Sequence, residues 1–286
     1  MVILEPQIPN TYEEAMASSE SHLWRKAIGT ELDSMAQQQA WTVVPRTNRT
    51  VGCRWVFVIK RDEYGEISQY KARLVAQGFS QRPGIDFDEV YAPVMRYDSL
   101  RLLLALAVQH GWTPMQLDVK AAFLYGELKE DIYMELPPGY DDQKGQKGYQ
   151  DQKGYLTQMA RSTHCVKLHK SIYGLKQSPR EWYAYWSKFL QEYGLKSSPF
   201  DPCVFTNEHD VRIHNVVSKL TKALKDRFQL SEAGQLHFLL GIQITQEKDS
   251  IIMSQRSLSP LYHRIMACEN GEKETFQQTS SYVNKS

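Results

Sequence analysis

Residues 54–78, RWVFVIKRDEYGEISQYKARLVAQG, constrain the fold more than any other stretch. Trp55, Phe57 and Ile59 alternate with Arg54, Val56, Val58 and Lys60. Successive side chains of an extended strand point to opposite faces, so this spacing predicts one apolar and one basic face. RDEYGE supplies turn residues, and a second extended run follows. A β-hairpin results. Its apolar face needs a covering layer, and its other face carries charge: residues 54–82 hold six Lys or Arg against Asp62, Glu63 and Glu66.

The covering elements are legible in outline. NTYEEAMASSESHLWRKAIGTELDSMAQQQ opens with a Thr11-x-x-Glu14 capping box, and Leu23, Trp24, Ala27, Ile28, Leu32 and Met35 recur at helical spacing. RYDSLRLLLALAVQHG predicts a buried helix capped by Asp98 or Ser99, stopped by Gly111 and feeding the strand WTPMQLDV. SPREWYAYWSKFLQEYG reads as a helix ending at Gly194, DPCVF as a short strand, Ile213 to Phe228 as another helix, and LHFLLGIQIT as a closing buried strand. This mixed order predicts an α+β fold, with helices packed on antiparallel sheet. Residues 140–160 repeat DQKG and read as a flexible low-complexity insertion, and the polar stretch after about 257 reads as a disordered tail.

Composition excludes some classes. The 286 residues can bury a core, and 42% hydrophobic with 23% charged residues is ordinary for a globular protein. A net charge of +1 supplies no global field toward nucleic acid or membrane, so such a role needs local patches. Cys53, Cys165, Cys203 and Cys268 are widely spaced and read as reduced thiols, which points to an intracellular protein, cytoplasmic or nuclear. No leader-like start and no transmembrane-length apolar run is visible, so neither secretion nor membrane insertion is expected. GxSxG, HExxH and P-loop patterns are missing, which disfavours a hydrolase.

Three segments carry chemistry. Asp118 ends a strand, where a carboxylate is either a Mg²⁺ ligand or a structural acceptor. SIYGLKQSPREW combines Gly174, which allows close backbone approach, with a Ser178-Pro179 helix start offering N–H groups to phosphate; a plain capped helix is the competing reading. Residues 160–190 hold six Lys or Arg against Glu181 alone, interleaved with Tyr173, Trp182, Tyr183, Tyr185 and Trp186, a mixture suited to nucleic acid or, for the helically spaced aromatics, to a core. On the turn itself, Tyr173 and Lys176 are the better candidates. Lys60, Lys71 and Arg73 on the hairpin can reach phosphates, or can be a solvated face.

Taken in order, LWRKAIGTELDSM, WTVVP, GCRWVFVIKRDEYGEISQYKARLVAQGFSQRPGIDFDEVYAPV, SLRLLLALAVQHGW, QLDVKAAFLYGELKEDIYMELPPGY, SIYGLKQSPREWY, DPCVF and LHFLLGIQIT resemble the reverse transcriptase domain of copia-type retrotransposon Pol polyproteins over residues 20–256. The resemblance implies right-hand polymerase fingers and palm, preceded by an N-terminal segment 1–19 and followed by a truncated tail 257–286. It implies RNA-directed DNA synthesis on an RNA or DNA template-primer from deoxynucleotides, with Mg²⁺ ions at the attacking and leaving oxygens. By position, Asp118 corresponds to the first palm aspartate and metal ligand, and Val119 to a metal-binding backbone carbonyl. Phe123 corresponds to the aromatic under the sugar. Lys71, Arg73, Tyr173 and Gly174 correspond to nucleotide-binding positions, and Lys176, Ser178 and Pro179 to template-binding ones.

One part of that pattern is missing. The family carries an adjacent aspartate pair in a YxDD turn between DPCVF and the helix at Ile213, where this chain has only TNEHDVR, residues 206–212. Strands run about five to six residues, so a hairpin does not fit and a deletion is expected. Tyr140-Asp141-Asp142 lacks the spacer and the apolar flanks; Asp86, Asp88 and Glu89 read as a solvated loop; Asp210 stands without a neighbouring aspartate. The expectation is a catalytically inactive remnant, with a non-catalytic nucleic-acid-binding remnant as the alternative.

Overall fold

The structure, a computed structural model, describes residues 6–61, 65–140, 162–207, 213–236, 238–239, 242–247, 250–254 and 281–284. In chain order its first elements are α1 (Tyr12–Ala17), α2 (Ser21–Gln37), β1 (Trp41–Pro45), β2 (Cys53–Arg61), β3 (Ile67–Ala76), α3 (Tyr97–His110), β4 (Met115–Val119), β5 (Glu127–Glu135), β6 (His164–Lys170) and α4 (Ser178–Glu192). Then follow β7 (Lys196–Ser197), β8 (Phe205–Thr206), α5 (Ile213–Arg227), β9 (Leu230–Gln235), β10 (Phe238–Leu239), β11 (Ile242–Gln246), β12 (Ser250–Ser254) and β13 (Ser281–Asn284). Helices and antiparallel strands are mixed, as expected. The chain forms two compact units, Met1–Pro93 with Ala121–Glu192, and Val94–Lys120 with Tyr193–Ser286.

The first unit is built on the alternating hairpin. β2 and β3 pair antiparallel with Trp55 opposite Leu74 and Phe57 opposite Ala72, all four buried. α2 covers that face: Trp24, fully buried, meets Phe57 and Tyr70 edge-on at 5.0 and 4.7 Å between ring centroids. β1, β6 and β5 form a second antiparallel sheet in that spatial order, and its Ile132, Met134, Val166 and Leu168 join the same core. The helix expected to run unbroken from Thr11 is in fact two helices. Thr11 does cap α1, accepting the Glu14 N–H at 3.1 Å, but the Glu14 carboxylate accepts from the Asn10 N–H at 2.8 Å instead of closing the box at Thr11. Ser18 then turns extended, at ψ 158°, and its hydroxyl donates to the Ala15 carbonyl, ending the helix before α2 restarts at Ser21.

In the second unit, Leu100, Leu104, Ala107 and Val108 of α3 pack with Leu236, Ile244, Ile251 and Met253. The helix is buried on that stripe alone, for Leu102 stays exposed. Gly111 stops it in the left-handed conformation, φ 65°, as the sequence predicts. Its start differs from expectation: the cap is at Arg96, and the cap carboxylate comes from Asp201, which accepts the Arg96 N–H at 2.9 Å and binds the Ser99 side chain. Capping from far along the chain replaces the local cap. β4 pairs antiparallel with β9, and β10 to β13 form an antiparallel sheet in chain order. LHFLLGIQIT is thus a hairpin rather than one strand, with Phe238 opposite Gln243 and Gly241 between the two strands in sequence. Residues 141–161, 208–212 and 255–280 lie outside the described residues, and with them the insertion apart from Tyr140, Asp141, Asp142, Asp210 and most of the expected tail.

Candidate functional site

In the first unit, Lys71 and Arg73 stand opposite Val58 and Val56 on the hairpin face that points away from buried Ala72 and Leu74. The Arg73 guanidinium lies 5.3 Å from the centroid of the Tyr173 ring, a cation–π distance. Tyr173 in turn meets Phe123 edge to face at 4.8 Å. Four of the expected nucleotide-binding residues, Arg73, Phe123, Tyr173 and Gly174, are therefore brought together from three segments. Arg73 Nε is buried and has no hydrogen-bond acceptor among the described residues. Glu31, on α2, accepts the Leu74 N–H; burial pushes its carboxyl pKa up, against that hydrogen bond and the charges of Lys71 and Arg73.

The turn carrying Tyr173 is fixed by its own backbone. Tyr173 O accepts the Ala76 N–H at 2.8 Å, and Ser171 Oγ donates to Phe123 O at 2.6 Å. Gly174 has φ +90°, and a Cβ there would sit 2.1 Å from the Ala76 carbonyl oxygen. The close approach that this glycine permits is to the end of β3, where the sequence reading placed a ligand. Ser178 is buried too, and its hydroxyl donates to Ile172 O at 2.5 Å, so it closes the turn from inside rather than facing a template. Pro179 and Lys176 are exposed, with Lys176 Nζ 4.9 Å from the Phe87 ring centroid.

Two sequence readings need correcting. Asp86, expected in a solvated loop, is buried, accepts the Arg82 N–H at 2.7 Å and is ion-paired with Arg49. Above it, Gln177 Nε2 donates to Asp86 O at 2.9 Å and Gln177 Oε1 accepts from Gln81, whose own Oε1 accepts the Lys176 N–H at 2.8 Å. Apart from Arg82, four residues before Asp86, these partners are 37 to 96 residues apart, and no local pattern announces them. The basic excess of 160–190 is also offset at three of its six Lys and Arg residues. Lys167 pairs with Asp131 at 2.7 Å, Lys170 with Glu127 at 3.0 Å, and Arg180 with Glu181, Glu130 and Glu89 at 2.6 to 3.8 Å. Glu181's carboxylate holds the Arg180 guanidinium above its ordinary pKa, while the Lys170 hydrogen bond holds Glu127 below the usual carboxylate value.

In the second unit, Asp118 is exposed near the end of β4, opposite Ser231, whose hydroxyl donates to Asp118 Oδ2 at 2.9 Å. Val119 stands opposite Leu230. Among the described residues no group of three or more His, Cys, Asp or Glu side chains is placed to hold a metal. One carboxylate beside a hydroxyl does not fit two Mg²⁺ ions, which need hard anionic oxygens shared between them.

The family model for reverse transcriptase (RNA-dependent DNA polymerase) matches residues 38–265, and the chain belongs to that family. More closely, it is a reverse transcriptase domain of the copia-type retrotransposon Pol kind. It is 33% identical over 265 residues to the retrovirus-related Pol polyprotein from transposon RE1 of Arabidopsis thaliana, covering 85% of this chain and 17% of that protein. The Pol polyprotein from transposon TNT 1-94 of Nicotiana tabacum is 33% identical over 270 residues, covering 87% and 19%. The transposon Ty1-DR4 Gag-Pol polyprotein of Saccharomyces cerevisiae is 26% identical over 207 residues, covering 69% and 11%. The chain thus spans less than a fifth of the length of these relatives.

Proposed function

We propose that residues 20–256 are the fingers and palm of a copia-type reverse transcriptase in which the palm hairpin bearing YxDD has been deleted, leaving a domain that does not polymerise DNA. Residues 1–19 are an N-terminal segment, 140–160 an inserted tract and 257–286 a C-terminal segment. The family's chemistry would run on a template-primer and deoxynucleotides with divalent metal, Mg²⁺ by family expectation, inside the cell. Arg73, Lys71, Tyr173 and Phe123 are assigned to the nucleotide, Lys176 and Pro179 to the template, and Asp118 with the Val119 carbonyl to metal, while Gly174 and buried Ser178 shape the turn that presents them.

The observation that carries the proposal is that, among the described residues, no second carboxylate joins Asp118 in a metal-holding group. The neighbour of Asp118 across the ladder is a serine, and β8 ends at Thr206 with α5 starting at Ile213, which leaves too little chain for two strands and a turn. Two-ion phosphoryl transfer depends on carboxylates that hold both ions around the reacting oxygens. A single carboxylate loses affinity for the ions and their stabilisation of the transition state. Purified chain with poly(rA), a labelled oligo(dT) primer and Mg²⁺ or Mn²⁺ is expected to extend nothing above background. Template-dependent extension that disappears in Asp118→Ala would overturn the proposal.

Binding without catalysis is the second reading, favoured by Arg54 and Lys60, which remain exposed on the hairpin's basic face. In 160–190, Lys167, Lys170 and Arg180 are ion-paired, while Lys176 stays exposed. Anisotropy of labelled primer-template, titrated at several salt concentrations, reads the binding, and a flat signal at micromolar protein excludes it.

A further inference from the structure

Glu31 is a carboxylate at a place where a neutral acceptor would serve. β3 pairs with β2 along one edge. Along the other, the N–H groups of Leu74 and Ala76, two residues apart and so directed to the same side, go to Glu31 Oε1 at 3.4 Å and to Tyr173 O at 2.8 Å. An amide oxygen would make the first of these bonds without the cost of burying a charge. That cost is visible at Glu31: burial raises its carboxyl pKa although the Leu74 N–H and the charges of Lys71 and Arg73 pull the other way.

The charge acts on two neighbours. Lys71 and Arg73 alternate with buried Ala72 and Leu74 along β3, so a carboxylate at the edge of that strand is within electrostatic reach of both cations. Arg73 is steadied by something else: its guanidinium lies 5.3 Å from the Tyr173 ring centroid, and its buried Nε has no acceptor among the described residues. A buried N–H of a cation, left without an acceptor, is a donor open to an anion. The Glu31 hydrogen bond goes to the backbone of Leu74 instead. Glu31 therefore lowers the positive potential an anion meets at Lys71 and Arg73 without taking up the Arg73 Nε donor.

We propose that Glu31 is a positioning residue that sets how tightly the β2–β3 hairpin holds a polyphosphate: its side chain fixes the edge of the strand carrying Lys71 and Arg73, and its charge offsets theirs until the polyphosphate supplies the counter-charge. The inference rests on the nucleotide assignment of Lys71 and Arg73 above and adds to it a residue that touches no ligand. Substitution separates the two roles. Glu31→Gln keeps the acceptor and removes the charge, whereas Glu31→Ala removes both.

Isothermal titration of the full chain with deoxythymidine triphosphate in EDTA reads the chain's own cations, and thymidine is the phosphate-free control. Glu31→Gln is expected to bind the triphosphate about fivefold tighter than the parent at low salt, the scale of one unit charge acting through partly screened protein. The gain should shrink as salt rises. Thymidine should not distinguish the two chains, a result that a loosened or repacked hairpin would not give. Arg73→Gln is expected to weaken triphosphate binding and, combined with Glu31→Gln, to reduce the gain, because the carboxylate acts through that cation. Glu31→Ala should lower the unfolding midpoint where Glu31→Gln does not. Triphosphate binding by Glu31→Gln but not by the parent supports the proposal. If the parent binds and Glu31→Gln binds no tighter, the role given to Glu31 is wrong while the nucleotide assignment stands. If neither binds at millimolar triphosphate, the nucleotide assignment fails and the role of Glu31 falls with it.

Discussion

Gly174 joins two constraints at one residue. Its φ of +90° is a region that side-chain-bearing residues avoid, and its missing Cβ lets the Ala76 carbonyl approach. Either constraint alone could be relaxed by a small backbone shift; together they oppose each other, because moving the chain away from Ala76 breaks the neighbouring hydrogen bond from Ala76 N–H to Tyr173 O. Gly174→Ala is therefore expected to cost about 1–3 kcal/mol from the backbone conformation alone, with the displaced carbonyl adding to it. Chemical denaturation of parent and variant measures the loss, and an unchanged midpoint would mean the turn is free to shift. A second consequence concerns Tyr173, whose ring is held between Arg73 and Phe123 by this turn. At the residue scale the long motifs were informative: Arg73, Phe123, Tyr173 and Gly174 were all picked from sequence and are adjacent in space. Gln81, Asp86 and Gln177 were not, because a buried amide or carboxylate looks like a surface one until its distant partner is known.

Among the elements, α3 shows why some ends are legible and others are not. Gly111 announces the C-terminus because a left-handed cap is a local requirement. The N-terminus is set by Asp201, 105 residues away from Arg96, and nothing near Tyr97 could reveal it. The hairpin of β2 and β3 lies at the other extreme, since both strands and their turn fall within one short segment and the period-two pattern fixes the register. The Asp201 carboxyl is held below the usual carboxylate pKa by the Ser99 side chain first and then by the N–H groups of Arg96 and Cys203, with burial opposing them. A lowered folded-state value means that the charged form stabilises the fold above the unfolded pKa of about 4, and that this is lost as pH falls through the folded value. Asp201→Asn is expected to cost about 1 kcal/mol, the scale of a helix cap. Its deficit in melting temperature relative to the parent should shrink as pH falls from neutral to below 4. Glu31 has the opposite sign: burial raises its folded pKa, so its contribution is present at low pH and is lost as pH rises through that raised value. Glu31→Gln keeps an acceptor for the Leu74 N–H and is expected to melt no lower than the parent at neutral pH.

For the whole molecule, the controlling feature is that, among the described residues, the two units carry distinct apolar clusters, the first the larger. The first joins α2, β2, β3 and the β1–β6–β5 sheet around a fully buried Trp24, Leu74, Met134 and Val166. Among the described residues, the second sets one stripe of α3 against Leu236, Ile244, Ile251 and Met253, with Leu224 and Phe228 also buried, and β4 there has β9 as its partner. Cooperativity follows shared burial, so units with their own cores open with their own free energies, and the smaller core opens at lower cost. The net charge of +1 adds no strong self-repulsion to change that order. Native-state hydrogen exchange followed by mass spectrometry is expected to show the slowest amides in β2, β3, β5 and β6. Faster exchange in α3 and β4 should share one opening free energy, with a matching early transition in thermal unfolding. Equal protection in both sets would mean that the two cores unfold as one. The expected order bears on Asp118, since its strand belongs to the unit with the smaller described cluster, and β4, paired with β9 among the described residues, would offer backbone N–H and C=O groups to other chains when that unit opens. Loss of soluble protein on heating should therefore follow the early transition, and a variant that raises only the later one should not slow it.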